Sequence, residues 1–404
     1  ASQARGPGLE SLYSHQFKLY NNYMSWLENA VFYQIIIDRF AGFKNTNDWE
    51  KPVYVGGNIK GITDKLSYIK QLGVNAIWIS PFNTGVAYHG YHITDFFGVD
   101  SHFGDEKDLE NLIESAHDQD IKIICDFVPN HCSNKHPFFM DAVKNENSKY
   151  HDWFIFKSWP DKYLCFRKYK ELPKLNLDNK ETRLHLLESA RKWLKLGFDG
   201  FRIDHVIGIS NDNLNTILTP LRTEFPGAVF IGEAWFQNTK FNELNTINVT
   251  NKYLVWLFHL NTLMYKSYAN ILDGYLDFDA INDFEKYAHT GDEKYRQKAT
   301  NKHKKLENLI KPVTFLDNHD MERVLFRLDN DVDKLKNAIK MQFSLGIPTI
   351  IYYGTEIGMS QEKPFSSFAS YGDILAREPM RWDMSNQNLD LLKYYQKLIR
   401  TKVK

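Results

Sequence analysis

The stretch Gly197-Phe-Asp-Gly-Phe-Arg-Ile-Asp204 decides how the chain is read. Before it, Leu186, Leu187, Ala190, Trp193 and Leu194 recur at helical spacing, and Gly197 stands where a helix stops. After Gly200, the run Phe201 to Ile203 is apolar apart from one arginine and ends on an aspartate. The spacing predicts a helix, a glycine turn and a short buried strand with a carboxylate at its C-terminal end. Side chains alternate along a strand, so Arg202 and Asp204 face one space. A cation beside a carboxylate favours its ionised form, which suits a nucleophile or a charge stabiliser. A structural ion pair at a strand end would read the same way from this stretch alone.

The same unit recurs on both sides. Val31 to Phe40, Asn75 to Pro81 and Ile121 to Val128 are apolar runs that read as strands one to three. Thr63 or Asp64 is expected to cap a helix carrying Leu66, Ile69 and Leu72 and stopped by Gly73. Asp105 opens another helix, with Leu109, Leu112, Ile113 and Ala116 on one face. Downstream, Val229 to Glu233, Val313 to Leu316 and Thr349 to Tyr353 read as strands five, seven and eight, and Tyr275 to Phe278 is the weakest, sixth strand. Residues 240–270 read as mixed helix and loop, and Leu391, Leu392, Tyr395, Leu398 and Ile399 make a last helix.

Strand and helix thus alternate eight times, with most strands apolar on both faces, as parallel strands covered by helices must be. The fold class is α/β, a (β/α)₈ TIM barrel, in which active sites sit at the C-terminal strand ends. Residues 132–180 lack periodicity and are rich in aromatics and lysine. They read as an inserted excursion between strand three and its helix, with 1–131 and 181–404 forming the two parts of the barrel.

Composition narrows the partners. The 404 residues carry 50 Lys plus Arg and 50 Asp plus Glu, a formal net charge of zero. Nothing in that balance favours nucleic acid or an anionic membrane as partner. Cys125, Cys132 and Cys165 show no C-x-x-C spacing, so neither a disulfide framework nor a zinc site is expected. No run approaches a membrane span, and the leading Ala-Ser-Gln-Ala-Arg-Gly-Pro-Gly has no apolar signal-peptide region. Cytoplasm is the favoured compartment, with secretion left open; the oligomeric state is not readable.

Taken together, the strand ends bring Asp126, Asn130 and His131, then Arg202 and Asp204, then Glu233, then His319 and Asp320 into one ring. Each alone has an ordinary structural reading. Several buried carboxylates gathered in one place are costly unless they do something. Convergent carboxylates without metal-type histidine pairs suit glycoside hydrolysis, in which one attacks the anomeric carbon and another protonates the leaving oxygen.

The motifs Asp126-Phe-Val-Pro-Asn-His131, Gly200-Phe-Arg-Ile-Asp204, Gly232-Glu-Ala-Trp235 and Phe315-Leu-Asp-Asn-His-Asp320 resemble, in order and strand position, those of the α-amylase superfamily, glycoside hydrolase family 13. The resemblance implies that Asp204 is the nucleophile, Glu233 the acid/base and Asp320 the transition-state stabiliser. It implies that Arg202 holds Asp204 ionised, that His131 and His319 bond sugar hydroxyls, and that Tyr91 stacks under the sugar ring. Trp235 would line the leaving-group side, and Arg377 with Asp373 would serve one sugar further on.

Leu172-Pro-Lys-Leu-Asn176 is similar to the fifth family motif in its neopullulanase and cyclomaltodextrinase form. No cofactor is required by this reading. Asn47, Asp48, Gly56 and Asn58 match a family calcium site in the loop after strand one, as oxygen donors should. Lys44 falls where an acidic ligand is expected, and its ammonium would replace the cation. Ile207 and Gly208 stand where typical α-amylases carry a Lys-His pair, which argues against a second calcium. The family's C-terminal β-domain is not expected within this chain.

The expected activity is retaining hydrolysis of α-1,4 links in starch-type glucans and maltooligosaccharides, with an α-glucan oligosaccharide or polysaccharide as partner. The alternative is a neopullulanase, cyclomaltodextrinase or transglycosylase of the same superfamily. A non-catalytic sugar-binding relative is a remote reading, because all three carboxylates are present.

Overall fold

The computed structural model describes residues 25–44, 46–235, 261–306, 308–367 and 372–403. The leading eight residues and positions 240–260, for which expectations were formed above, lie outside them. Eight parallel strands form one sheet: β1 (Val31–Ile35), β2 (Ala76–Ile79), β3 (Lys122–Phe127), β4 (Gly200–Ile203), β5 (Val229–Gly232), β6 (Gly274–Leu276), β7 (Lys311–Val313) and β8 (Thr349–Tyr352). Their spatial order is β7-β6-β5-β4-β3-β2-β1-β8. A parallel bridge from Thr314 to Thr349 joins the two ends, so the sheet closes into the expected barrel.

Period two sorts the strand residues onto two faces. Val31, Tyr33, Ile35, Ile77, Ile79, Ile123, Cys125, Phe201 and Ile203 point outward and join the large core under the helices. Phe32, Ala76, Trp78, Ile124, Val229, Ile231 and Ile350 point inward and fill the barrel. The inward rows continue upward into polar residues: Gln34 above Phe32, Asp126 above Ile124, Glu233 above Ile231. The barrel is therefore apolar in its lower layers and polar at its C-terminal mouth, which is what sets the site there.

Local chemistry explains the elements around the opening stretch. Asn179 caps helix Lys180–Leu196 by accepting from the Thr182 N–H, and Gly197 ends it with φ 123°. Gly200 follows at φ 146°, where an added Cβ would meet the Val229 carbonyl oxygen at 2.0 Å. Only glycine lets β4 lie against β5 there.

Four expectations need correction. Strand one ends at Ile35, and Ile37–Phe40 is a short helix; a run buried throughout carries no periodicity to mark the change. The second helix is split into Ile59–Asp64 and Leu66–Leu72, and its cap is Asn58, not Thr63 or Asp64. Strand six begins at Gly274 and ends at Leu276. Strand seven starts two residues before Val313 and ends there, so Phe315 and Leu316 belong to the segment beyond it.

Between β3 and helix Lys180–Leu196 the chain makes helix Pro137–Lys144 and two small hairpins, Phe156–Ser158 with Lys162–Tyr163 and Cys165–Phe166 with Tyr169–Pro173. A bridge from His131 to Lys174 and a hydrogen bond from the Leu175 N–H to the Asn130 carbonyl tie this excursion to the end of β3. Among the described residues no helix is long and apolar enough to cross a membrane.

Candidate active site

Arg202 is the hub of the barrel mouth. It is 1% exposed, and its Nη1 bonds Asp126 Oδ1 and, at 2.9 Å, Asp204 Oδ1. Its Nη2 lies 2.8 Å from Glu233 Oε1, an ion pair by distance whose angle does not make a hydrogen bond. Strand pairing produces this: Arg202 lies beside Asp126 on β3 and Ile231 on β5, one pleat below Glu233. Three carboxylates around one buried guanidinium are tolerable only because they share it.

Asp204 is held on one side and free on the other. Oδ1 takes the Arg202 contact, whereas Oδ2 makes no hydrogen bond and sits 4.0 Å from His131 Nδ1. Burial pushes the Asp204 carboxyl well above the usual range; the Arg202 charge opposes this, and Glu233, Asp126 and Asp320 add to the rise. Arg202 favours the ionised form of Asp204, as expected, but its one guanidinium is divided among three carboxylates. Glu233 Oε2 accepts the His205 N–H at 2.9 Å. His205 reaches that position because it sits in a left-handed turn, φ 46°, directly after Asp204.

Asp320 is anchored from the opposite wall. Arg377 Nη2 meets its Oδ1 at 3.0 Å and His319 Nε2 its Oδ2 at 3.0 Å. Burial opposes ionisation, but the His319 and Arg377 contacts outweigh it and hold this carboxyl well below the usual range. Arg377 also donates to the His319 carbonyl and pairs with Asp373, whose side chain is partly open to solvent. Tyr91 lies parallel to the His319 ring, with centroids 5.3 Å apart and planes 7° apart. Its hydroxyl meets Asp126 Oδ2 and His319 Nε2, each at 2.9 Å, so it forms a fixed floor. His131 is buried, which pulls its pKa down to about 3 and leaves the ring neutral, able to donate and accept. Trp235 stacks on Phe278, with centroids 4.5 Å apart, and is both a core residue and a neighbour of Glu233.

All ten expected catalytic and substrate-binding residues thus lie at one mouth. Reading the chain missed four supports. Gln34 donates from Nε2 to His319 Nδ1 at 2.7 Å; a lone glutamine in an apolar strand was the signal. Trp78 Nε1 donates to Asp126 Oδ2 at 2.8 Å, and the His205 N–H holds Glu233 without any side-chain signature. The fourth is Lys174, whose ammonium donates to the Gly208 carbonyl just past Asp204.

Two of the four expected calcium residues have partners of their own. Asn58 spends its carbonyl on the Gly61 N–H as a helix cap, and Asp48 is exposed and paired with Lys51 at 2.6 Å. The loop is instead organised by buried Asp38, which accepts from the Val55 and Gly56 N–H groups, while Arg39 donates to the Trp49 carbonyl. Lys44 is exposed and lies against Gly56, its N–H donating to the Val55 carbonyl. No group of three or more His, Cys, Asp or Glu residues poised for a metal occurs among the described residues.

Comparison with known proteins gives the family. The profile described as alpha amylase, catalytic domain, matches residues 34–395. The chain is 34% identical to alpha-amylase 2 of Dictyoglomus thermophilum over 96% of its own length and 67% of that protein. It is 29% identical to a cyclomaltodextrinase of Bacillus sp over 93% of its length and 66% of that protein. Among solved structures, the cyclic alpha-maltosyl-(1→6)-maltose hydrolase of Arthrobacter globiformis superposes with a TM-score of 0.77 at 26% identity, covering 94% of this chain and 83% of that one. The chain spans about two thirds of the length of the curated relatives it matches.

Proposed function

The chain belongs to the α-amylase family of glycoside hydrolases, and we propose that it is a retaining hydrolase of short and cyclic α-glucans, of the cyclomaltodextrinase and neopullulanase kind. The observation that carries the retaining mechanism is Asp204, with Oδ1 held by Arg202 and Oδ2 buried and unbonded. An oxygen in that state is the one available to attack an anomeric carbon. The motif Leu172 to Asn176 and the cyclic substrates in two relatives' names support the substrate class. The expectation of a starch-type α-1,4 amylase is the weaker reading beside these.

In this proposal the reaction runs in two displacements. Asp204 Oδ2 attacks the anomeric carbon while Glu233 gives its proton to the departing oxygen; Glu233 then takes a proton from water, whose oxygen releases the sugar from Asp204. Productive chemistry needs Asp204 as carboxylate and Glu233 as acid. Glu233 has to leave the guanidinium to meet the leaving oxygen, and Arg202 is then free to hold Asp204 ionised. Asp320, kept anionic by His319 and Arg377, stabilises the positive charge growing on the sugar. Tyr91 stacks beneath the ring, His131 and His319 bond its hydroxyls, and Asp373 with Arg377 binds the next sugar. Trp235 lines the leaving-group side. A reducing compartment fits the same reading, since Cys125 and Cys132 are buried as free thiols.

Product analysis on maltoheptaose, pullulan and a cyclodextrin in parallel tests the substrate class. Ring opening and panose release from pullulan are expected. Rapid cleavage of long linear chains with neither of those activities would return the reading to a starch-type amylase.

A further inference from the structure

The second hairpin of the excursion carries Phe166, Arg167 and Tyr169 at its tip. Arg167 turns the chain in a left-handed conformation, φ 51°. The tip leans over the catalytic mouth. The Phe166 ring lies 4.8 Å from that of His131 and meets His205 edge-on at 4.6 Å. The Arg167 guanidinium lies 5.4 Å from the Phe166 ring and 6.0 Å from the Trp235 ring, two residues beyond Glu233.

Its bonding is incomplete. Arg167 is half-buried, makes no ion pair among the described residues, and its buried Nε has no hydrogen-bond partner. A guanidinium carries five donors and no acceptor, and leaving such a donor dry and unpaired is costly. Sugars offer a matching surface: hydroxyl oxygens that accept at the edge and C–H faces that pack on aromatic rings. The side of the cleft matters as well. Glu233 protonates the departing oxygen, so a group over Trp235 stands beside the sugar that leaves, not the sugar that is attacked.

We propose that Arg167 is a specificity-determining residue that donates hydrogen bonds to hydroxyls of the sugar on the leaving-group side, between the Phe166 and Trp235 rings. The inference rests on the glycosidase reading above. It makes Arg167 important wherever a sugar must leave or arrive, in cleavage of oligosaccharides and in transfer to a sugar acceptor. It makes it far less important when the leaving group is not a sugar.

The test compares maltotetraose, which leaves a sugar, with α-maltosyl fluoride, which leaves fluoride, in wild type, Arg167→Ala and Arg167→Lys. The ratio of kcat/KM on maltotetraose to that on the fluoride is expected to fall about tenfold in Arg167→Ala, the loss of one charged hydrogen bond, and to recover in part in Arg167→Lys. Transfer to added maltose, relative to hydrolysis, is expected to fall with it. An unchanged ratio, whether both rates hold or both drop together, overturns the leaving-side role while the glycosidase reading stands. Wild-type protein that turns over neither substrate overturns the glycosidase reading, and the role of Arg167 with it.

Discussion

Asp204 and Glu233 meet the same guanidinium: Arg202 Nη1 is 2.9 Å from one carboxyl and Nη2 is 2.8 Å from the other. Two groups that reach neighbouring nitrogens of one planar ion lie close together. Retaining glycosidases hold their two carboxyls about 5–5.5 Å apart, without the wider gap that admits a water, and a shared guanidinium is compatible with that spacing. The first product seen by proton NMR is therefore expected to be the α-anomer. A β-anomer appearing first would exclude Asp204 as nucleophile.

The same crowding sets the pH response. Burial and the neighbouring carboxylates raise the Asp204 pKa, with Arg202 opposing. Attack needs the carboxylate, so kcat/KM falls as pH drops through that raised value, and the acid limb lies above the ordinary aspartate value of about 3.9. Arg202→Lys replaces a fork by a point charge that cannot serve three carboxylates at once. The limb is expected to move to higher pH and kcat/KM at neutral pH to fall by about a hundredfold or more. A limb that stays put or moves to lower pH in a pH-rate profile contradicts this account of Arg202.

How much of this was legible follows from what each element exposes in sequence. Strands such as Val229 to Gly232 were readable because parallel strands buried on both faces are apolar throughout, and the residue ending each run stood out by its charge. The change from strand to helix at Ile37 was not, because every residue there is buried and a run buried all round has no period. Asn58 is ambiguous for a chemical reason: the same amide oxygen suits a calcium ligand and a helix cap, and in the structure it accepts from the Gly61 N–H. The contact from the His205 N–H to Glu233 could not be read at all, since a backbone donor leaves no mark on residue type. Arg167 lay in a segment whose short hairpins give no periodicity.

A lysine also stands at the second calcium position, beside Gly208: Lys174. Its ammonium donates to the Gly208 carbonyl, and burial pulls its pKa from 10.5 down to about 8. With a cation of its own at that place, and with Asn58 and Asp48 engaged elsewhere, the protein is expected to keep its activity and melting temperature in EDTA. A loss restored by added calcium would show that the calcium site was misjudged. Lys174 has a separate signature. Its folded pKa lies below its unfolded one, so between about pH 8 and 10.5 the unfolded chain holds the extra proton and stability rises with pH. The contribution is up to about 3 kcal/mol. In denaturant titrations across that window, the Lys174→Met variant should show a smaller rise than wild type, keeping only the share from buried Lys402, whose pKa is likewise pulled down to about 7.

The last expectation separates the two carboxylates that share Arg202. Glu233→Gln keeps the volume and the contact with the His205 N–H but cannot donate a proton to the leaving oxygen, so on maltooligosaccharides the loss falls on kcat with substrate binding nearly intact. α-Glucosyl fluoride needs no such proton. In Glu233→Gln it should release a burst of fluoride as Asp204 attacks, then stall, because no base remains to activate water. Azide, a nucleophile that needs no base, should restore turnover and give the α-glycosyl azide. Asp204→Asn should give neither burst nor azide rescue, because the attacking oxygen is gone. If the fluoride instead rescues Asp204→Asn and not Glu233→Gln, the two roles are exchanged. If Glu233→Gln cleaves maltooligosaccharides near the wild-type rate, the proton comes from another group in the cleft.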